Sequence, residues 1–170
     1  MAMNSLALST NNLTSQLAAK LDLAGGKILQ IVRATDTTSR TTTSTSFTDV
    51  TGMSVTITPQ KNTSSILVLS MFRVNVLDTA SDLVLSNFQL TNSSNTALSG
   101  AEAMPVGTLR FTTTANPRLW MPICLVGYSS PATTSATTYK LRFNSQNASI
   151  TTELENNDST GQMYAIEVSA

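Results

Sequence analysis

The side chains that ordinarily perform chemistry are sparse in this chain. It holds no histidine, a single cysteine, and ten acidic residues against ten basic ones. Without histidine, the Ser-His-Asp and Cys-His routes to an activated nucleophile are closed, as is the usual ligand set for zinc or iron. The lysines (Lys20, Lys27, Lys61 and Lys140) are scattered, with no nucleophile motif around them. The acidic group to weigh is Glu153, Glu155 and Asp158, with the two glutamates on one face of a predicted strand and the aspartate in the next turn. A glycosidase needs two carboxyls held apart across a cleft, and calcium needs a loop dense in oxygen ligands. Neighbours at a strand end supply neither, so these residues read as a solvated rim. The pair Gly25-Gly26 lacks the spacing of a phosphate loop or dinucleotide turn. Cys124 sits in the apolar run 119–126 and reads as a small buried hydrophobe. The expectation is a protein that is not an enzyme and carries no metal or cofactor.

Charge narrows the partners. Charged residues make up 12% of the chain and cancel to a net of zero. No excess of Lys and Arg is available to displace counterions from phosphates, which argues against nucleic acid. Weak self-repulsion favours association between copies. No apolar run reaches membrane-spanning length, and no basic stretch followed by an unbroken apolar one opens the sequence. Neither a membrane partner nor export by the usual route is expected.

The elements that would position any site are strands. Ser and Thr make up roughly three residues in ten, yet 41% hydrophobic content excludes a disordered chain. Thr, with its branched Cβ, suits the outer surface of a sheet. Met53, Val55 and Ile57 alternate with Ser54, Thr56 and Thr58, the mark of a half-buried strand. Thr51-Gly52 just before them predicts a turn or bulge. The run 65–76 is different, with Ile66, Val68, Phe72, Val74 and Val76 on one face and Leu67, Leu69 and Met71 on the other. Strand 118–128 likewise sets Leu119, Met121, Ile123 and Leu125 against Trp120, Cys124 and Val126, with Pro122 marking an edge or bulge. Apolar residues on both faces predict that both are covered, one by a second sheet and the other by a loop, the arm or another subunit. Residues 36–46 read as an exposed loop or polar edge, and the aromatics read mostly as core. Further strands are predicted at 27–35, 82–91, 108–114, 137–144, 148–154 and 162–169. With no helix between them, about eight strands predict an all-β, antiparallel, jelly-roll-like β-sandwich over residues 27–170.

Residues 1–26 differ in style and read as an N-terminal arm or short helix. Leu13, Leu17 and Leu21 fall at helical spacing, and Leu6, Leu8 and Leu23 extend the apolar set. Gly25 can stop such a helix, and Gly25-Gly26 can act as a hinge. So narrow a stripe is marginal alone and needs a surface, which could be this domain, a sister chain or a partner.

The β-domain opening carries a resemblance. Gly26-Lys27-Ile28-Leu29-Gln30-Ile31-Val32, then Ser46-Phe47-Thr48-Asp49, Gly52-Met53-Ser54-Val55-Thr56-Ile57-Thr58-Pro59 and Ser64-Ser65-Ile66-Leu67-Val68 resemble a module of virion structural proteins in tailed bacteriophages, cyanophages included. The resemblance covers about residues 26–75. It implies a homotrimeric jelly roll in the virion and supplies no catalytic residues. Two roles fit. One is a capsid cement or decoration protein whose arm lies on the major capsid protein. The other is a tail-fibre or head-fibre module that binds a receptor glycan. The expectation favours decoration, because the aromatics read as internal and a fibre shaft is absent from the sequence.

Overall fold

The computed structural model describes residues 26–78, 83–110 and 118–169. Leu6, Leu8, Leu13, Leu17, Leu21, Leu23 and Gly25, and with them the expected arm, lie outside the described residues. Among the described residues ten strands follow one another: β1 (Ile28–Asp36), β2 (Arg40–Thr42), β3 (Thr48–Ile57), β4 (Ser65–Asp78), β5 (Leu83–Asn92), β6 (Met104–Arg110), β7 (Arg118–Ser129), β8 (Thr137–Ser145), β9 (Ile150–Leu154) and β10 (Gly161–Val168).

Their pairing is nested and antiparallel throughout. β5 pairs with β6, β4 with β7, β3 with β8, β2 with β9 and β1 with β10. Rolling this ribbon up adds the contacts of β4 with β9 and β10, and of β5 with β8. The result is a six-stranded sheet (β1, β10, β4, β9, β2, with β7 on the far edge of β4) packed on a four-stranded sheet ordered β3-β8-β5-β6. This is the double Greek key of a jelly roll. β1 and β10 prolong β2 and β9 beyond breaks at 37–39 and 155–160.

Side-chain alternation fills the space between the sheets. Val50, Met53, Val55 and Ile57 of β3 face Ile66, Val68, Phe72 and Val74 of β4, joined by Phe88, Leu90, Tyr139, Leu141 and Phe143. Phe88 lies 5.0 Å from Phe72, ring to ring, and 6.3 Å from Phe143. The register of β3 against β8 shifts between Asp49 and Ser54, so Thr51-Gly52 is a bulge. It restores the inward phase between Val50 and Met53. Gly52 takes φ +92°, and a Cβ there would meet the Asp36 carboxylate at 2.7 Å, so both space and backbone require glycine.

Within residues 36–46, Arg40–Thr42 forms β2 on β9 at the edge of the six-stranded sheet, the polar edge that the composition allowed. Two expectations need correction. Strand β6 starts at Met104, four residues before the predicted strand 108–114, and carries Pro105 where an edge strand tolerates it. The other concerns Cys124, which is exposed rather than buried. On the second faces of β4 and β7 the described residues leave Leu67, Leu69, Met71, Trp120, Val126 and Tyr128 partly or largely exposed.

Candidate functional site

That uncovered surface is the outer face of the six-stranded sheet. Cross-strand partners share a face, so the register gives its composition directly. One row runs Ile31, Ile166, Leu67, Tyr128, and the next Arg33, Tyr164, Leu69, Val126. A third runs Thr35, Gln162, Met71, Cys124, followed by the pairs Arg73–Pro122 and Asn75–Trp120. Ile31 is 57% exposed, Trp120 53%, Tyr128 51% and Val126 46%. An uncovered stretch of this composition marks an association surface more often than bare solvent. Sequence reasoning found the double-sided pattern of β4 and β7 but assigned Trp120 and Tyr128 to the core. In β7 the inward positions belong to the odd residues, Ile123 and Leu125 among them, which leaves Trp120, Pro122, Cys124, Val126 and Tyr128 facing out.

The same parity explains Pro122. The Tyr128 amide points away from β4 and donates to the Ser99 carbonyl at 2.9 Å. Even residues of β7 therefore aim their N–H groups at the free edge, and a proline at 122 removes no ladder bond.

Polar groups bound the apolar area. At the β1 margin Arg33 donates through Nε and a terminal nitrogen to Gln162 Oε1 at 3.1 and 2.9 Å, with its guanidinium 5.9 Å from the Tyr164 ring centre. At the other end Arg73 lies 2.6 Å from both Glu155 and Asp158. Trp120 donates its indole N–H to Glu155 at 3.1 Å, and Asn75 donates to Glu153 at 3.1 Å. Burial pulls the Arg73 guanidinium down, but hydrogen bonds to Asp158 and Glu155 hold it above its ordinary value, as a firm cation. All three acidic residues of the expected rim are thus engaged, and Glu155 is 9% exposed rather than solvated. The signal for this site was Arg73 itself, a charge inside an otherwise apolar strand. Among the described residues no three His, Cys, Asp or Glu side chains converge as a metal would need.

Between these margins lies a shallow cavity of about 450 Å³, lined by Met71, Arg73, Pro122, Cys124, Thr160 and Gln162 among others. A second, of about 330 Å³, opens where β6 and β7 part, lined by Met104, Pro105, Val106, Met121, Ile123 and Leu125 with the flanking Pro122 and Cys124. The two cavities share Pro122, Ile123 and Cys124, so the apolar surface continues from the sheet face around its edge.

The four-stranded sheet shows a different exterior on β3 and β8. Thr56 and Thr138 share a hydroxyl hydrogen bond of 2.8 Å. Asp49 accepts from Lys140 at 2.7 Å and from Arg142 at 2.8 Å. The Lys140 hydrogen bond leads in holding the Asp49 carboxyl below its ordinary value, against the opposing effect of burial.

A buried carboxylate locks the corner near Gly26. Glu167 is fully buried and accepts from Gln30 Nε2 at 2.6 Å and from the Gln60 and Lys61 amides at 2.8 and 3.2 Å. Burial pushes its pKa up, but these donors and the Ser64 hydroxyl outweigh it and leave the carboxyl below its usual range. Sequence reasoning missed Glu167, although its spacing from Met163 and Ala165 places it on the inner face. Beside it Gly26 takes φ +102° and donates to the Ser169 carbonyl at 2.9 Å. Of the expected hinge pair, Gly26 is therefore already pinned to the sheet.

No protein-family model matches the sequence, and no curated protein matches it. Among solved structures, the chain is similar to a D431N mutant VP2 protein of infectious bursal disease virus in derived T=1 particles, at 16% identity and TM-score 0.34, covering 81% of this chain and 36% of that one. The Gt strain structure of that virus gives 15% identity and TM-score 0.33, covering 86% and 39%. The CBM22-1 xylan-binding domain of Paenibacillus barcinonensis Xyn10C gives 13% identity and TM-score 0.30, covering 85% and 97%. The chain spans less than two-fifths of the length of these viral proteins. At such scores no activity or partner passes from those proteins to this one.

Proposed function

We propose that this chain is a non-enzymatic virion structural protein of the capsid cement or decoration type, a homotrimer attached to the major capsid protein by residues 1–26. The observation that carries an assembly role is the apolar outer face of the six-stranded sheet, set against a hydrogen-bonded polar exterior on β3 and β8. The virion assignment draws on the sequence resemblance over residues 26–75, whose strands form the start of the jelly roll. In this reading the body makes the oligomer and Leu6, Leu8, Leu13, Leu17, Leu21 and Leu23 make the attachment. Each buried leucine adds about 1.5–3 kcal/mol before ordering costs, and three tethered arms multiply weak contacts by avidity. Two measurements test it. Densitometry of purified particles should give hundreds of copies per virion, and a handful sinks the reading. Deleting residues 1–23 should leave a folded domain that no longer decorates particles.

A fibre module that binds a glycan is the second reading, and one observation favours it. Trp120 is exposed beside Asn75 and Glu155, an aromatic platform with polar neighbours. Trp120 is the only tryptophan, so its fluorescence reports directly. A saturable shift on titrating host-surface oligosaccharides supports this reading, and a flat titration removes it.

A further inference from the structure

Beyond its apolar rows, the outer face of the six-stranded sheet ends in a row of different composition. Glu153, Asn75 and Trp120 are cross-strand partners on β9, β4 and β7, so their side chains share that face. At ordinary strand spacing the outer two lie about 10 Å apart, close to the reach of one sugar ring with its hydroxyls. The indole is 53% exposed, yet it is fixed, because its N–H donates to Glu155 at 3.1 Å and Arg73 holds Glu155 at 2.6 Å. A fixed apolar ring with polar groups at its margin suits a ligand that is apolar on one face and hydroxylated around its rim. Asn75 is an independent sign of such a ligand. It is 1% exposed and gives Nδ2 to Glu153 at 3.1 Å. The planar amide carries nitrogen and oxygen on opposite sides of Cγ, so Oδ1 turns away from β9, toward Trp120. There it has no hydrogen-bond partner.

Charge selects among sugars. Among the described side chains here, Glu153, Glu155 and Asp158 set three carboxylates around the single guanidinium of Arg73, which lies 2.6 Å from both Glu155 and Asp158. A ligand carboxylate would have to displace one of these partners from Arg73 and then face the remaining ones. A hydroxyl meets no such barrier, and can donate to Glu153 or to Asn75 Oδ1. We propose that the Trp120 end of the sheet binds a neutral sugar, stacked on the indole with its hydroxyls donating to Glu153 and Asn75, and that it excludes acidic sugars. The inference rests on the glycan-binding reading above and adds the class of glycan to it. The site lies beyond the apolar rows around Leu67 and Val126, so sugar binding does not require the association surface to be vacated.

The test titrates the full chain, followed by Trp120 fluorescence, with two sets of probes. One is a panel of neutral gluco-, manno-, galacto- and xylo-oligosaccharides, and the other is oligogalacturonate of matched length. At least one neutral series should give a saturable shift, and oligogalacturonate none over the same concentrations. Acidic oligomers that bind as tightly as neutral ones overturn the neutral class and leave the glycan-binding reading standing. Flat titrations with both sets remove the reading and this inference together. Calorimetry on two variants then tests the assigned side chains, with circular dichroism as the check on folding. Glu153→Gln keeps an acceptor for Asn75 but loses the charge, and should weaken the neutral sugar about tenfold. An affinity equal to that of the wild type overturns the role of the Glu153 carboxylate. Trp120→Ala, at an exposed position, should abolish binding, and a variant that still binds the sugar overturns the site.

Discussion

The two sheets of this jelly roll share one core but have opposite exteriors. On β3 and β8 the outward residues are Ser54, Thr56, Thr138, Lys140 and Arg142, with Thr56 hydrogen-bonded to Thr138 and both Lys140 and Arg142 bonded to Asp49. On β1, β10, β4 and β7 the outward residues include Ile31, Ile166, Leu67, Leu69, Met71, Val126 and Tyr128. Burial of the inner layer explains why both sheets form, but it does not explain an apolar exterior on one of them. Solvation favours Thr and Ser on a free surface, as the four-stranded sheet shows. The six-stranded sheet keeps a composition that suits contact, at some risk of indiscriminate association, which is what an assembling protein requires.

The comparison can be broken at its common layer first. Phe88→Ala removes the ring that bridges Phe72 and Phe143, and should cost about 3–5 kcal/mol in urea unfolding, destabilising both sheets together. A smaller loss is expected at Glu167, where Ala leaves the Gln60 and Lys61 amides without their acceptor, a cost of about 1–3 kcal/mol. The carboxyl is depressed in the folded chain. Its contribution is therefore complete above the unfolded-state value and disappears as pH falls through the lower folded one. Glu167→Gln should flatten that acid segment of the stability profile, and an unchanged acid slope contradicts this account.

Between the exteriors the contrast should appear in association rather than stability. Val126→Glu and Thr56→Glu are each expected to shift unfolding by less than about 0.5 kcal/mol, yet only the former should abolish oligomers in sedimentation. Loss of oligomers in both would mean that the polar exterior is also an interface. The smallest effect is expected at Asp49, whose side chain is 45% exposed. Asp49→Asn should cost about 0–1 kcal/mol in low salt and less as ionic strength screens the pair.

Much of the architecture was legible because alternation is local. Met53, Val55 and Ile57 announced the one-sided strand, Thr51-Gly52 its bulge, and Ile66 with Leu67 the two-sided one. What escaped depends on distant partners. Arg40–Thr42 is three polar residues whose strand identity comes from β9, more than a hundred positions away. Cys124 and Trp120 were assigned inward on the average habits of their residue types, whereas their parity with Pro122 and Tyr128 decided otherwise. Glu167 was passed over because a carboxylate among apolar residues looks like an outward one. Gln30, Ser64 and the amides of the β3–β4 turn folded over it make the inward position tenable.

The nested pairing sets an order on synthesis. β10 lies between β1 and β4, so the first described strand has no ladder partner, and residues 65–71 of β4 keep one edge bare, until the other described strands have been made. A ribosome releasing this chain therefore holds an unfinished sheet whose backbone amides and carbonyls can recruit a neighbouring nascent chain. Pairings between such distant residues also close slowly. Eight residues at positions 161–168 act as the keystone of the arch, and a nonsense codon before them would abolish much more than the short stretch it removes.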